Sequence, residues 1–219
     1  AVSAPYYDQG VTDAGMVWVF LGGPAGLSGL PVWSAAGEQA DARFGSALSC
    51  SGDPDANGYP DLLVGARGHD TFQDGSPVML DAGAAFLFYN TDGVLATTAG
   101  WQAFGDQAAA GFGVSVDLMG DADEDGYADV AVGAHRYTAD QSEEGAVFVY
   151  QGGPSGAAAL PCTLVTGDKA DTDFGYAIAG AGDVNREGNA DLLVGAPTYK
   201  KSDVRVGRSL LYKGVVAGE

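Results

Sequence analysis

The sequence predicts an all-β fold assembled from repeated units, and three observations support this prediction. An acidic stretch followed by small and apolar residues occurs three times, at 52–67, 120–135 and 182–197. A Phe-Gly pair begins eight residues before each copy. The apolar runs are short, are separated by Gly, Asp and Pro turns, and lack a sustained 3.6-residue period, which is typical of strands rather than helices.

Each unit contains four strand candidates in a fixed order. The first strand runs from Phe-Gly to the acidic stretch, and the second ends in Gly-Ala. The third is an apolar and aromatic hexapeptide that starts at residues 15, 83, 145 and 207, and the fourth lies near 160–165 or its equivalents. Because the third strand is apolar at nearly every position, we expect both of its faces to be covered, as when sheets stack around a ring. The units therefore predict the four-stranded blades of a β-propeller.

The strand pattern also predicts where the units divide. We expect a partial blade with strands two to four, two whole blades, and a partial blade with strands one to three, at 1–35, 36–104, 105–166 and 167–219. In the last unit "VVAGE" (215–219) stops before a fourth strand. The sequence thus predicts an open partial propeller of about three and a half blades.

The acidic stretch at 120–135 reads Asp-x-Asp-x-Asp-Gly-x-x-Asp. Carboxylates two residues apart in a turning chain point into one hollow, where their repulsion is costly unless a cation neutralises it. Oxygen ligands in this number favour calcium, and Gly126 permits the sharp bend. A solvated acidic turn is the alternative, since Asp, Asn and Gly are common turn residues. The three copies favour the metal site.

These motifs resemble the FG-GAP repeats of integrin α-subunit β-propellers. Two turns, "LGGPAGL" (21–27) and "QGGPSG" (151–156), resemble those of bacterial secreted FG-GAP repeat proteins more closely than those of integrins. The resemblance covers essentially the whole chain. Gly-Ala-Pro is intact at 195–197 and changes to Gly-Ala-Arg at 65–67 and to Gly-Ala-His at 133–135, which affects a turn.

The resemblance implies one calcium ion in the hairpin between the first and second strands of each blade. The implied ligands are the side chains at loop positions one, three, five and nine and the carbonyl at position seven. They are Asp53, Asp55, Asn57, Tyr59 and Asp61; Asp121, Asp123, Asp125, Tyr127 and Asp129; and Asp183, Asn185, Glu187, Asn189 and Asp191.

Ligand charge predicts that the three sites differ in affinity. The middle loop offers four carboxylates and the others three each, so we expect the middle site to bind most tightly. We expect the third to be weakest, because Glu187 is longer than the usual Asp. An EF-hand would need glutamate at position twelve, where the chain has Val64, Val132 and Val194, so these loops are not EF-hands.

Composition narrows the class of partner. A formal charge of −19 and a pI of about 4.1 argue against binding to nucleic acid or to an anionic membrane, and no apolar stretch is long enough to span a membrane. Five of the ten basic residues crowd into 200–213, which fits either an interface with an acidic surface or a solvated hairpin.

Cys50 and Cys162 lie in different units, so we expect two free, mostly buried thiols.

No nucleophile elbow, Cys/His pairing or phosphate-binding loop is present, and the two histidines follow Gly-Ala in hairpin loops. We therefore predict no enzymatic activity. The prediction is a calcium-binding module for extracellular adhesion or for recognition of a protein or glycan, secreted or at the cell surface. The alternatives are an accessory module of a secreted hydrolase and a carbohydrate-binding propeller.

We expect the ligand to bind on the face opposite the calcium hairpins. That face carries the lengthened loop 68–82 and the connections between blades. The candidate ligand-binding residues are His69, Asp70, Phe72, Gln73, His135, Arg136, Tyr137 and Tyr199.

The resemblance implies a propeller of seven blades. Such a propeller would need about twice the length of this chain. We therefore expect an open arc, either as part of a longer secreted protein or as half of a homodimer completed by a second copy. Unpaired strand edges would favour such pairing.

Overall fold

A computed structural model of the protein describes residues 1–73 and 76–214, with the side chain of Gln73 excluded. Within these ranges the chain is all β and contains no helix. The strands are β1 (Val2–Ala4), β2 (Met16–Val19), β3 (Gly22–Gly23), β4 (Gly26–Leu27), β5 (Trp33–Ala36), β6 (Phe44–Ser49), β7 (Leu62–Ala66), β8 (Thr71–Gln73), β9 (Ser76–Met79), β10 (Ala84–Phe88), β11 (Asn90–Thr91), β12 (Val94–Leu95), β13 (Trp101–Phe104), β14 (Phe112–Gly120), β15 (Asp129–Ala134), β16 (Ala146–Tyr150), β17 (Thr163–Thr166), β18 (Ala177–Gly182), β19 (Asp191–Ala196), β20 (Lys200–Lys201), β21 (Val204–Arg205) and β22 (Arg208–Tyr212).

Four antiparallel sheets follow one another along the chain. In spatial order they are β1-β2-β5, β6-β7-β10-β13, β14-β15-β16-β17 and β18-β19-β22. This confirms the predicted fold class, an open partial propeller of four-stranded blades. The strands of each sheet come from one predicted unit, except that β5 ends at Ala36, one residue past the expected division. The unit boundaries stay a prediction, and 215–219 lie outside the described residues.

Adjacent sheets meet through their first strands, with β6 against β1, β14 against β6 and β7, and β18 against β14. Glycine permits this approach. A Cβ atom at Gly65 would overlap the carbonyl oxygen of Gly113, and one at Gly133 would overlap that of Gly175. In the second and third sheets the glycine of Gly-Ala therefore packs on the glycine of the next Phe-Gly. This contact explains why the two motifs recur together.

The second and third strands of the two middle sheets form the core, since every residue of β7 and β15 is buried as well; burial of the third strands is what their apolar sequence predicts. Every residue of β16 is buried, and so are four of the five residues of β10. Phe112 packs edge-to-face on Phe148 within the third sheet, with ring centroids 5.3 Å apart. Both belong to one buried cluster that includes Leu63 and Leu87 of the second sheet, so this cluster joins the two sheets. Phe174 lies three residues before β18 and belongs to the next cluster, with Val147 and Val149.

The cysteines differ in part from expectation. Cys50 and Cys162 are free, as predicted, but both are exposed, so the prediction of buried thiols is wrong. Each lies just outside a strand, Cys50 after β6 and Cys162 before β17, where the sheets no longer cover it.

Candidate metal centres and ligand face

The acidic stretches form the turns between the first and second strands of the second, third and fourth sheets. In the first of these loops Asp53 accepts the N–H groups of Asn57 (3.1 Å) and Gly58 (2.7 Å) on its two oxygens. Gly58 has φ of 91°, a left-handed conformation that glycine adopts without strain. The same bonds recur at Asp121, with 3.2 and 2.8 Å, and at Asp183, with 3.0 and 2.9 Å. The three loops therefore share one conformation.

Position seven closes the turn in the first two loops. The N–H of Tyr59 donates to Asn57 Oδ1 at 2.9 Å, and the N–H of Tyr127 donates to Asp125 Oδ1 at 3.0 Å. In the third loop Asn189 occupies this position. Its side chain is buried and makes no hydrogen bond within the described part of the chain.

The position-nine aspartates are buried and are fixed by the residues that follow the third strand. Asp61, Asp129 and Asp191 are each at most 1% exposed. One oxygen of each accepts the backbone N–H of the second residue after the third strand, donated by Asn90 (2.7 Å), Gly152 (2.9 Å) and Gly214 (3.0 Å) respectively. These donors were not predicted from the sequence, although their regular spacing after the third strand is readable from the repeat.

The second oxygen of the position-nine aspartate distinguishes the first loop. In the other two loops this oxygen accepts the N–H of position two, from Ala122 at 2.9 Å and from Val184 at 3.0 Å. Position two of the first loop is Pro54, which has no N–H. Asp61 Oδ2 is therefore buried without a hydrogen-bond partner among the described residues. Burial, with smaller contributions from Asp55 and Asp53, raises the pKa of Asp61 to about 7.

Two carboxylate clusters result. Asp53, Asp55 and Asp61 each place an oxygen within 4.8 Å of the others, and the same holds for Asp121, Asp123 and Asp125. Burial followed by a neighbouring aspartate raises the pKa of Asp55 and of Asp123. Burial also raises the pKa of Asp129 to about 6. Clustered carboxylates of this kind fit a hard divalent cation with oxygen ligands.

The third loop fits a cation less well. Among the described residues, the third loop has no group of three carboxylates with oxygens within 4.8 Å of one another. Lys213 Nζ lies 3.5 Å from Glu187 Oε2, so a side-chain ammonium already neutralises the position-five carboxylate. At the equivalent place after β16, Gln151 donates to Asp123. Neither contact was anticipated from the sequence.

The three loops lie side by side at one end of the sheets. The N–H of Ala128 donates to the carbonyl of Asp53 at 3.3 Å, and that of Ala190 donates to the carbonyl of Asp121 at 2.7 Å. Position eight of one loop is thus bonded to position one of the loop before it.

The eight candidate ligand-binding residues do not form one group. His69, Asp70 and Phe72 line a cleft of about 640 Å³ between the first and second sheets, whereas the side chain of Gln73 lies outside the description. His135 is 8% exposed and packs on Tyr176, with centroids 5.5 Å apart. Arg136 is exposed, Tyr137 packs on Phe148 at 5.2 Å, and Tyr199 lies between Lys169 at 4.6 Å and Arg208 at 5.1 Å.

Comparison with known proteins agrees with the repeat pattern. The model of the family "FG-GAP repeat" matches residues 112–150. Human integrin alpha-7 is 31% identical over 168 residues, 76% of this chain and 13% of the relative. Integrin alpha-5 of Xenopus laevis is 29% identical over 190 residues, 83% of this chain and 17% of the relative. Integrin alpha-3 of Cricetulus griseus is 33% identical over 172 residues, 73% of this chain and 15% of the relative.

The chain spans less than a fifth of the length of these relatives. Within the described ranges, none of the secondary structure is a helix of the length and hydropathy that crossing a bilayer requires.

Proposed function

Since the chain is an integrin-like FG-GAP propeller, we propose that it is a calcium-stabilised module for extracellular adhesion or ligand recognition, secreted or at a cell surface. The convergence of Asp53, Asp55 and Asp61, with one buried oxygen unpartnered, is the observation that carries the calcium assignment. The relation to bacterial secreted FG-GAP proteins, suggested by the turns at 21–27 and 151–156, belongs to this proposal.

Calcium would supply the positive charge that offsets carboxylate repulsion in each hairpin. The residues that would hold it are the ligand sets predicted from the sequence. Charge favours the middle loop as the tightest site. A buried oxygen without a partner among the described residues occurs in both of the first two loops, at Asp61 Oδ2 and Asp123 Oδ1, so it does not alter this order. The ion pair between Lys213 and Glu187 supports the third loop as the weakest.

We propose no catalytic role. The matched relatives are integrin α subunits, and both histidines make packing contacts. His69 packs against Phe86 with centroids 5.7 Å apart, and His135 packs against Tyr176. The ligand, a protein or a glycan, would bind at the end of the sheets opposite the acidic loops, because antiparallel strands place the second-to-third connections there.

Thermal unfolding with and without calcium tests the proposal. Calcium at 100 times its dissociation constant should stabilise the fold by about 2.7 kcal/mol per site, and a chelator should remove that gain. Asp121→Asn and Asp125→Asn together should reduce the gain, whereas Asp92→Asn, an exposed change outside the loops, should not. A melting curve that is the same in excess calcium and in excess chelator would contradict the proposal.

A further inference from the structure

We propose that the cleft between the first and second sheets binds an uncharged sugar ring. The inference rests on the proposed function, because it assigns a ligand class to the recognition face. The cleft has a volume of about 640 Å³, within the range of small-ligand sites in proteins.

Aromatic side chains form its floor and rim. Phe44 and Phe88 are almost fully buried below, with Phe86 against Phe44 at 5.8 Å between ring centroids. Phe104 and Phe72 remain 43% and 51% exposed. Aromatic faces carry partial negative charge, and the C–H bonds on one face of a pyranose are slightly positive. A sugar ring can therefore stack on Phe104 and Phe72.

Hydrogen bonds from Gln39, in the connection between β5 and β6, to the connection after β7 fix one side of the cleft. Gln39 accepts the N–H of Asp70 at 3.0 Å and donates to its carbonyl at 3.2 Å. Gln39 Nε2 also lies 2.8 Å from His69 Nε2, so the ring nitrogen accepts and the imidazole is neutral. Burial lowers the pKa of His69, in agreement with that protonation state. A site formed before binding loses less conformational entropy when a ligand enters.

The polar groups of the cleft suit hydroxyl groups better than ions. No Lys or Arg lies among the described residues that line it, so an anionic sugar finds no counter-charge. Thr97, Thr98 and Gln102 are exposed and can each donate and accept. Two carboxylates also line the cleft: Glu38, which is exposed, and Asp70, whose Oδ1 already accepts the N–H of Asp81 at 2.8 Å. A polyol can donate to these carboxylates and also bond to the neutral donors and acceptors, whereas a cationic side chain can use only the acceptors.

The aromatic rim is particular to this cleft. Phe104 is opposite Ala84 in the second sheet, and the residue at the same register in the third sheet, opposite Ala146, is Thr166. The repeat therefore does not require a phenylalanine at this position. The Phe104 ring packs on His69 and Phe86, with centroids 5.4 and 6.2 Å apart, and its exposed part is available for a sugar ring.

Saturation-transfer NMR tests the proposal on the full chain, loaded with calcium and checked for its calcium-dependent melting shift. The probes are the methyl glycosides of glucose, galactose, mannose and N-acetylglucosamine at about 20 mM, since a single ring should bind with a dissociation constant on the order of 1 mM. Methyl glucuronide and tetralysine are the charged probes. We expect ring-proton signals from at least one neutral glycoside and none from the charged probes.

Phe104→Leu keeps an apolar side chain but removes the aromatic face, and should weaken the neutral signal at least fivefold, while Phe104→Tyr preserves it. Tyr176→Ala removes an exposed aromatic elsewhere and should leave the signal unchanged. Absence of transfer from every neutral glycoside, transfer unaffected by Phe104→Leu, or binding of tetralysine alone would overturn the proposal. Glycoside binding without a calcium-dependent melting shift would instead contradict the calcium part of the proposed function.

Discussion

At the scale of single residues, Asp61 shows how one backbone donor changes a carboxylate. In the other two loops the N–H of position two binds the second oxygen of the position-nine aspartate, Asp129 or Asp191. Position two of the first loop is Pro54, which has no N–H. The buried Asp61 oxygen then has no hydrogen-bond partner among the described residues, and burial raises the pKa of this carboxyl group to about 7. The same oxygen that is available to a cation in the proposed site is costly to ionise without one.

The first prediction follows from this shifted pKa. A folded-state pKa of about 7 exceeds the unfolded value of about 3.9, so the native state binds more protons than the unfolded state between these pH values. The contribution of Asp61 to stability is therefore lost as pH rises from about 4 to about 7. Asp61→Asn removes this penalty and keeps the acceptor for Asn90.

In excess chelator, Asp61→Asn should raise the melting temperature at pH 7.5 and change it little at pH 4.5. In excess calcium the same substitution should lower it, because the cation loses a ligand. Melting curves of the variant and of wild type at pH 7.5 and pH 4.5 measure both the increase expected in chelator and the decrease expected in calcium. A constant difference across this pH range in chelator would contradict the shifted pKa of Asp61.

Much of the site at this scale was predictable from the sequence, because Asp-x-Asp-x-Asp-Gly is local. The residues that follow the third strand were not, since Gln151 and Lys213 reach the loops through strand pairing. His135 was expected on the surface, yet the fourth sheet covers it with Tyr176. Such burial depends on the neighbouring sheet and has no local signature.

At the scale of elements, the third acidic loop differs from the other two in its charge balance. The ammonium group of Lys213 is close enough to Glu187 to compete with a bound cation. Both side chains are largely exposed, which limits the strength of the pair.

We therefore expect Lys213→Ala to tighten calcium binding at the third loop by up to about fivefold, in line with an exposed ion pair. The amide NMR signals of Gly58, Gly126 and Gly188 report on the three loops separately during a calcium titration, since each donates to a position-one aspartate. Lys201→Ala, which removes an exposed lysine from β20, is the matched control. Equal effects of the two substitutions on Gly188 would argue against a specific role for Lys213.

The contact between sheets gives a prediction with an internal control. A Cβ atom at Gly133 would overlap the carbonyl oxygen of Gly175 in the next sheet, whereas one at the equivalent Gly195 meets only Ala177 of its own sheet at 3.5 Å. Gly133→Ala should lower the free energy of unfolding by about 1–3 kcal/mol or more. Gly195→Ala should be neutral or slightly stabilising, because alanine restricts the unfolded chain. Urea unfolding measures both, and similar losses would contradict the proposed role of this glycine in sheet packing.

The strand order was readable at this scale because each sheet repeats one pattern of glycines and apolar runs. The two-stranded hairpins β3-β4, β8-β9, β11-β12 and β20-β21 were not predicted. Their strands are two to four residues long and lie within connections. Strands this short have no hydrophobic period, so the sequence describes them only as turns.

At the scale of the whole molecule, the fourth sheet differs from the second in the exposure of one apolar pair. Leu63 and Leu87 are paired across the second sheet and lie fully buried against the third. Leu193 and Leu211 form the same pair in the fourth sheet, but they are 41% and 49% exposed.

The last prediction concerns this exposed pair. Exposed apolar patches on a sheet promote association, while a formal charge of −19 opposes it. Salt screens the repulsion and leaves the apolar attraction in place. The weight-average sedimentation coefficient should therefore rise with protein concentration across the micromolar range, and rise more steeply at about 0.5 M salt than at about 0.05 M.

Leu193→Glu with Leu211→Glu should abolish that rise and preserve the calcium-dependent melting shift, because neither side chain is in the core. Leu160→Glu adds a charge at a residue that is 78% exposed elsewhere and should leave association unchanged. A wild-type chain that sediments as a monomer at every concentration and salt level would show that the exposed pair does not mediate association. An equal effect of Leu160→Glu would show that net charge, rather than the Leu193 and Leu211 pair, controls it.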